Sequence, residues 1–262
     1  MEWYWIVLIV IGSLAVWFTL SAVFYKQFFK RFYDLTLSLL ALIVLSPLLL
    51  VLTIVGAIVM KGNPFFVQPR PGKIDSKTGK EKIFKMIKFR TMSNEKDKNG
   101  NLLPDEQRLN SWGKLERSLS IDELGSLITI AAGHMSIVGP RPLLVRDMVF
   151  MTSEQRRRHS IRPGLTGFAQ VNGRNNISWE QKLQYDIEYV DHGVTLINDI
   201  KIVLQTVVKV LKRSDVVRDG TDSDIDYGDW LLANGIISEA DYAKKQSEAK
   251  DILEFKWKNT VS

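Results

Sequence analysis

Cysteine is missing altogether from the 262-residue sequence, which excludes disulfide staples, thiolate nucleophiles and Cys-based metal sites. No G-x-x-x-x-G-K-[ST] phosphate loop occurs. No helix-turn-helix, zinc-finger or RNA-binding signature is present either, so a nucleic-acid partner has no dedicated reader. Neither an internal repeat nor a low-complexity tract divides the chain, and no Ser-His-Asp arrangement is evident. Acidic residues are outnumbered, 29 Asp and Glu against 35 Lys and Arg, giving a net charge of +6. Such a balance suits a phosphate-rich partner, and basic loops beside membrane segments account for much of the excess. Hydrophobic residues make up 45% of the chain, yet mean hydropathy is only −0.03. Apolar residues must therefore be concentrated in segments attached to a polar body.

Trp3 to Phe24 is one such segment, its only polar side chains being Ser and Thr. About 20 apolar residues cross a hydrocarbon core of roughly 30 Å as a helix. A cleaved signal peptide is the competing reading. Glu2 in place of a basic start, early bulky aromatics and the poor cleavage sequence Ala22-Val23-Phe24 argue against it. Residues 1–27 are expected to be a retained transmembrane anchor. Lys26, Lys30 and Arg31 then put its C-terminal end in the cytoplasm. A second apolar stretch, Phe32 to Met60, has basic residues on both sides, so both its ends look cytoplasmic. Ser46-Pro47 lies at its centre. Proline removes a donor and clashes with the preceding turn, while a neighbouring Ser helps satisfy freed carbonyls. Residues 28–62 are expected to form a helix–break–helix that dips into one leaflet and returns. The alternative, a kinked spanning helix, would place residues 61–262 on the other side of the membrane.

Residues 63–215 read as one mixed, mainly helical α+β body. Phe65-Phe66-Val67 and Ile83-Phe84-Lys85-Met86-Ile87 resemble short strands joined by a turn at Ser76-Lys77-Thr78-Gly79. Asp97-Lys98-Asn99-Gly100 marks another turn. The spacing then predicts a helix from Ser120 to Gly133, with Ser120 as N-cap and Glu123 completing a capping box. Leu124, Leu127, Ile128 and Ala131 give its apolar stripe, and Gly133 suits a left-handed C-terminal position. Gly125 inside it costs about 1 kcal/mol relative to Ala. Asp122 and Glu123 fall in the first turn, where free amides favour anions. Simple capping and a carboxylate nucleophile both fit that placement. Arg117, Arg141 in Gly139-Pro140-Arg141-Pro142, and the basic run Arg156 to Arg162 surround the pair and suit a diphosphate. His159 reads as a structural hydrogen-bond partner.

Beyond Val217, residues 216–262 form an acidic linker and a helical appendage. Asp222-Ser223-Asp224 imitates a D-x-D metal motif, and two short helices are expected from Asp229 to Phe255, split at Asn234-Gly235 and capped by Ser238 and Asp241.

Seven motifs follow one another in an order that resembles the bacterial sugar transferase family, the monotopic phosphoglycosyl transferases. They are Arg31-Phe32-Tyr33-Asp34, Ser46-Pro47, Lys88-Phe89-Arg90-Thr91-Met92, Ser120-Ile121-Asp122-Glu123-Leu124, Gly139 to Leu143, Arg162 to Gly167, and Gln170 to Asn175. The similarity covers about residues 28–215 and, within the family, is greatest to the small enzymes that start glycoprotein assembly from UDP-diacetylbacillosamine. The resemblance implies a reentrant membrane helix in the bacterial inner membrane with the active site on its cytoplasmic face. It implies ping-pong transfer of a sugar-1-phosphate from a UDP-sugar to polyprenyl phosphate, with release of UMP. Asp122 would be the nucleophile and Glu123 would be associated with Mg²⁺. Arg117 and Arg141 match phosphate- and nucleotide-contacting positions; Lys88, Arg162 and Asp199 are further substrate-binding candidates. An ordinary carboxylate, with a pKa near 4, is already ionised at neutral pH and needs no activating base. His134 stands where the family usually has Asp, and Phe168 replaces a frequent Trp or Leu as a packing residue. The UDP-sugar is expected to carry an N-acetylated amino sugar. Homo-oligomers and downstream glycosyltransferases are further candidate partners. A UDP-releasing glycosyltransferase and a non-catalytic scaffold are the rival readings.

Overall fold

The computed structural model describes residues 3–173, 177–212 and 225–258. Arg174 and Asn175 of the last motif lie outside the described residues, as does the Asp222-Ser223-Asp224 triplet. The first helix, α1 (Trp3–Val23), exposes nearly every apolar side chain and is long and apolar enough to cross a membrane. A π-helical turn, Tyr25–Phe29, passes directly into α2 (Lys30–Val44). Helix α3 (Ser46–Val59) follows after Leu45, and the segment Tyr25–Val44 meets it at a bend of 66°. Pro47 sits in the first turn of α3, where its missing N–H costs nothing. The Ser46 hydroxyl donates to the Ile43 carbonyl at 2.7 Å, which satisfies an acceptor freed by the break. The expected helix–break–helix is therefore present.

Strands β1 (Phe65–Ile74) and β2 (Glu81–Phe89) form an antiparallel hairpin, longer than the short strands expected, around the anticipated turn. A second small sheet pairs β3 (Ser136–Val138) with β4 (Gly164–Thr166) in parallel. Between them come α4 (Asp105–Arg108), α5 (Ser111–Ser118), a 3₁₀ turn at Ile121–Gly125 and α6 (Ser126–Ala131). Short helices α7 (Val145–Met148) and α8 (Ser153–Arg156) precede β4, and α9 (Phe168–Val171), α10 (Trp179–Glu188) and α11 (Leu196–Leu211) follow it. The appendage supplies α12 (Tyr227–Ala233) and α13 (Glu239–Lys258). As expected, these two break near Asn234-Gly235, and the Ser238 hydroxyl accepts from the Asp241 N–H at 3.1 Å.

The body is pinned to the membrane helices by polar bonds as well as packing. Asp34 on α2 accepts from the Ile137 N–H at 2.8 Å and the Ser136 hydroxyl at 3.0 Å. Arg31 donates to the carbonyls of Ile130 and Ala131 at the end of α6, at 2.7 and 2.8 Å, where a cation also meets the negative end of the helix. Apolar residues Phe84, Met86, Leu127, Ile130 and Met135 form a core between the hairpin and α6, with Leu42 and Leu45 packed against it. The exposed His134 ring stacks on Phe84, 5.9 Å between centroids. Phe168 packs edge-on against Tyr185, as expected.

One expectation fails. Ser120 has φ +55° and makes no side-chain cap, and the predicted single helix to Gly133 is a 3₁₀ turn followed by a six-residue helix. The reason lies in Glu123, whose carboxylate is drawn to side chains from two other elements and is unavailable to complete a capping box. Gly133 does take the left-handed position, with φ +86°.

Candidate active site

The 3₁₀ turn lies across the end of β2. Gly125 permits this, because a Cβ there would stand 3.0 Å from the Ile87 carbonyl oxygen and 3.2 Å from the Lys88 Cα. Its helix-propensity cost thus secures a close approach of turn and strand. Lys88 Nζ then reaches Glu123 Oε1 at 2.9 Å, and Arg141 from the loop after β3 donates to the same oxygen at 3.1 Å. Arg117, near the end of α5, donates through Nε to the Thr91 hydroxyl at 3.1 Å. Sequence-distant Lys88, Arg117, Asp122, Glu123 and Arg141 line one cleft of about 710 Å³. That volume is within the range of sites that enclose a small organic ligand.

The electrostatics separate the two carboxylates. Burial works to raise Glu123, but Arg141 and Lys88 outweigh it and hold this carboxyl well below the usual range. Asp122 moves the other way. Burial first, and then the charge of Glu123, push it up, while Lys88, Arg141 and Arg117 pull it only part of the way back. The nucleophile candidate is therefore not the unperturbed carboxylate that its residue type suggests. Glu116, fully buried in the last turn of α5, is pushed up to about 7 by burial and by Asp122. Neither of its oxygens has a hydrogen-bond partner; the Trp112 indole lowers its pKa somewhat but falls short of bonding geometry.

A buried ionic scaffold supports the Arg141 loop. Arg158 donates to the Arg141 carbonyl at 2.6 Å and to Asp186 through Nε at 2.9 Å. Arg70 donates to the Pro142 carbonyl at 3.0 Å; burial, reinforced by Arg141, lowers its pKa to about 10. His159 bonds Glu81 through Nδ1 at 3.1 Å and is 3.2 Å from Arg158 through Nε2. Burial lowers it to about 4, so it is a neutral structural partner at pH 7, as expected. The basic run thus serves two purposes that its sequence spacing does not separate.

Two proposed substrate contacts do not reach the cleft. Asp199 is buried elsewhere, accepting from Tyr25 at 2.6 Å, Tyr189 at 2.5 Å and Lys30 at 2.5 Å. It joins the start of α11 to the membrane-side helices, and its acceptor sites are occupied by this chain's own donors. Arg162 donates to the Gly133 carbonyl at 2.7 Å and does not line the cleft. Arg158, from the expected basic run, lines it, and Arg70, Asp147 and Asp226 line it without having been expected there. Arg70, between Pro69 and Pro71, repeats the Pro-Arg-Pro setting of Arg141, whereas Asp147 and Asp226 carry no such mark.

Residues 25–213 match the family described as bacterial sugar transferase. The chain is 48% identical over 183 residues to an uncharacterized sugar transferase, EpsL, of Bacillus subtilis, covering 70% of this chain and 87% of that protein. It is 36% identical over 194 residues to the UDP-glucose:undecaprenyl-phosphate glucose-1-phosphate transferase of Klebsiella pneumoniae, covering 69% of this chain and 40% of that one. Galactosyl transferase CpsE of Streptococcus agalactiae is 34% identical over 211 residues, with 74% and 45% covered. Motif order, the cationic cleft around an Asp-Glu pair and these matches agree: the chain belongs to the bacterial sugar transferase family.

Proposed function

We propose that this protein transfers a sugar-1-phosphate from a UDP-sugar to a polyprenyl phosphate, releasing UMP. The supporting observation is the half-buried Asp122–Glu123 pair set among Lys88, Arg117 and Arg141 in one cleft. The relative named for this reaction with glucose adds weight. In the first step an Asp122 carboxylate oxygen attacks the sugar-linked phosphorus. The bond from that phosphorus to the bridging oxygen breaks, and UMP leaves with the electron pair. In the second step a phosphate oxygen of the lipid attacks the same phosphorus, and Asp122 departs as a carboxylate. Neither nucleophile needs deprotonation once ionised, so the chemical problem is repulsion between anions. Lys88 and the arginines offset it. Lys88 and Arg141 also hold Glu123 ionised beside Asp122.

The donor set suits Mg²⁺. Among the described residues no group of three or more His, Cys, Asp or Glu is placed to hold a metal. Mg²⁺ commonly takes one or two carboxylates and completes its shell with substrate phosphates and water. Glu123, with Asp122 beside it, would hold the ion, whose chemistry would be to neutralise phosphate charge. Membrane association follows from α1 and the bent helix pair. Helix α11 adds Ile197, Ile200, Leu204, Val207 and Leu211 as exposed apolar residues. We assign the body to the cytoplasmic face of the inner membrane from the basic residues on both sides of the bend. There it meets a soluble donor and a lipid head group together. The donor expected is a UDP-linked N-acetylated amino sugar, tested beside UDP-glucose and UDP-galactose. The test is turnover with undecaprenyl phosphate and Mg²⁺ in nanodiscs. UMP as the nucleotide product supports the reading, whereas UDP, or no product from any donor, rejects it.

A further inference from the structure

The C-terminal appendage lies beyond the matched segment, which ends at residue 213, yet it closes on the cleft. Helix α12 packs Tyr227 and Leu231 against Met151, Trp179 and Leu183. Helix α13 brings Ala249, with Ile252 and Leu253, onto Val145, Met148 and Val149. Polar bonds fix the approach. The Trp179 indole N–H donates to the Ile225 carbonyl at 3.0 Å, and the Tyr227 N–H donates to Asp147 Oδ1 at 3.0 Å. Asp147 in turn accepts the Leu144 N–H at 2.9 Å through its other oxygen. The appendage is thereby tied to the loop that carries Arg141. Asp226 pairs with Arg146, keeps about a fifth of its side-chain surface open and lines the cleft beside Asp147, Trp179 and Lys182.

Resting on the donor-site reading above, we propose that the appendage is the sugar-selecting wall of the cleft, with the Asp226 carboxylate accepting hydrogen bonds from hydroxyl or amide N–H groups of the donor's sugar. Three observations carry it. Asp226 lines the same cleft as Asp122 and takes no part in the Lys88–Glu123–Arg141 contacts that suit the diphosphate. A carboxylate is a poor neighbour for phosphate but a strong acceptor for sugar O–H and N–H groups. Finally, relatives sharing the matched segment are named for glucose in one case and galactose in another. The sugars in their names differ although the matched segment is shared, and Asp226 lies beyond the end of that segment at residue 213 while lining the same cleft.

The test uses the full-length protein with Mg²⁺, undecaprenyl phosphate and four donors: UDP-glucose, UDP-galactose, UDP-N-acetylglucosamine and UDP-diacetylbacillosamine. The readout is the ratio of kcat/KM between donors. Asp226→Asn should change at least one ratio about tenfold, the factor for about 1.4 kcal/mol, a size typical of one hydrogen bond. The KM for the lipid should stay constant. Arg146→Gln, which removes the ion pair and keeps the carboxylate, should preserve the donor order. Equal loss for all donors in Asp226→Asn, no change, or reproduction of its shift by Arg146→Gln overturns the proposal and leaves the reaction intact. Absence of UMP from every donor in the wild type removes both.

Discussion

Replacing Glu116 by leucine should stabilise the protein at neutral and alkaline pH but not in acid. The side chain is 1% exposed, both oxygens lack hydrogen-bond partners, and burial with the nearby Asp122 charge raises its pKa from 4.5 to about 7. Below 4.5 the folded and unfolded chains both hold the proton, so the titration contributes nothing. Between 4.5 and 7 the unfolded chain ionises while the folded one does not, and stability falls. Above 7 the penalty is complete. At ~1.4 kcal/mol per pKa unit, it reaches ~3 kcal/mol. Leucine removes that term and fills comparable space. Thermal unfolding in detergent micelles at pH 4.5 and pH 8 measures the effect. For a chain of this size ~3 kcal/mol corresponds to a Tm gain of about 6–12 °C at pH 8, with little at pH 4.5. Because Asp122 contributes to the raised pKa, the gain should shrink in an Asp122→Asn background. An equal gain at both pH values, or destabilisation at pH 8, would refute the reasoning.

Other perturbations separate chemistry from scaffold. Gly125→Ala forces the 3₁₀ turn away from β2 and should cost about 1–3 kcal/mol; it should also lower kcat by weakening the Lys88–Glu123 contact, which a melt and a turnover assay check together. Asp199→Ala strands Lys30, Tyr25 and Tyr189 and should cost about 3–5 kcal/mol, while the KM for the UDP-sugar remains at the wild-type value. Asp122 is held above the ordinary carboxylate range, and in the proposed mechanism only its ionised form attacks. The acid limb of kcat/KM should therefore fall off above pH ~4. Lys88→Met should move that limb to higher pH, since Lys88 lowers the Asp122 pKa; a pH–rate series for both proteins decides it.

The membrane break was legible because proline acts on its own backbone neighbours, and the hairpin because turn residues and strand alternation are local. The Arg141 loop and the Asp122–Glu123 pair were legible as motifs, but their meeting depends on β2 and the turn converging across 35 residues of chain. The misread capping box shows the limit. Ser120 and Glu123 have the right spacing, yet partly buried ion pairs with Lys88 and Arg141 outweigh a local cap worth about 1 kcal/mol. Asp199 was misplaced for a related reason. A carboxylate beside basic motifs has no sequence mark that distinguishes substrate from a buried partner such as Lys30, 169 positions away. The position of Asp226 in the cleft was equally hidden, because an acidic linker carries no periodicity to show which residue turns toward a cleft.

The most direct test of the account is intact-mass analysis of active protein given UDP-sugar and Mg²⁺ without the lipid acceptor. The wild type should gain the mass of one sugar-phosphate, lose it when polyprenyl phosphate is added, and show no gain in the Asp122→Asn variant. An active preparation that never acquires this adduct, with kinetics requiring both substrates bound at once, would contradict the account.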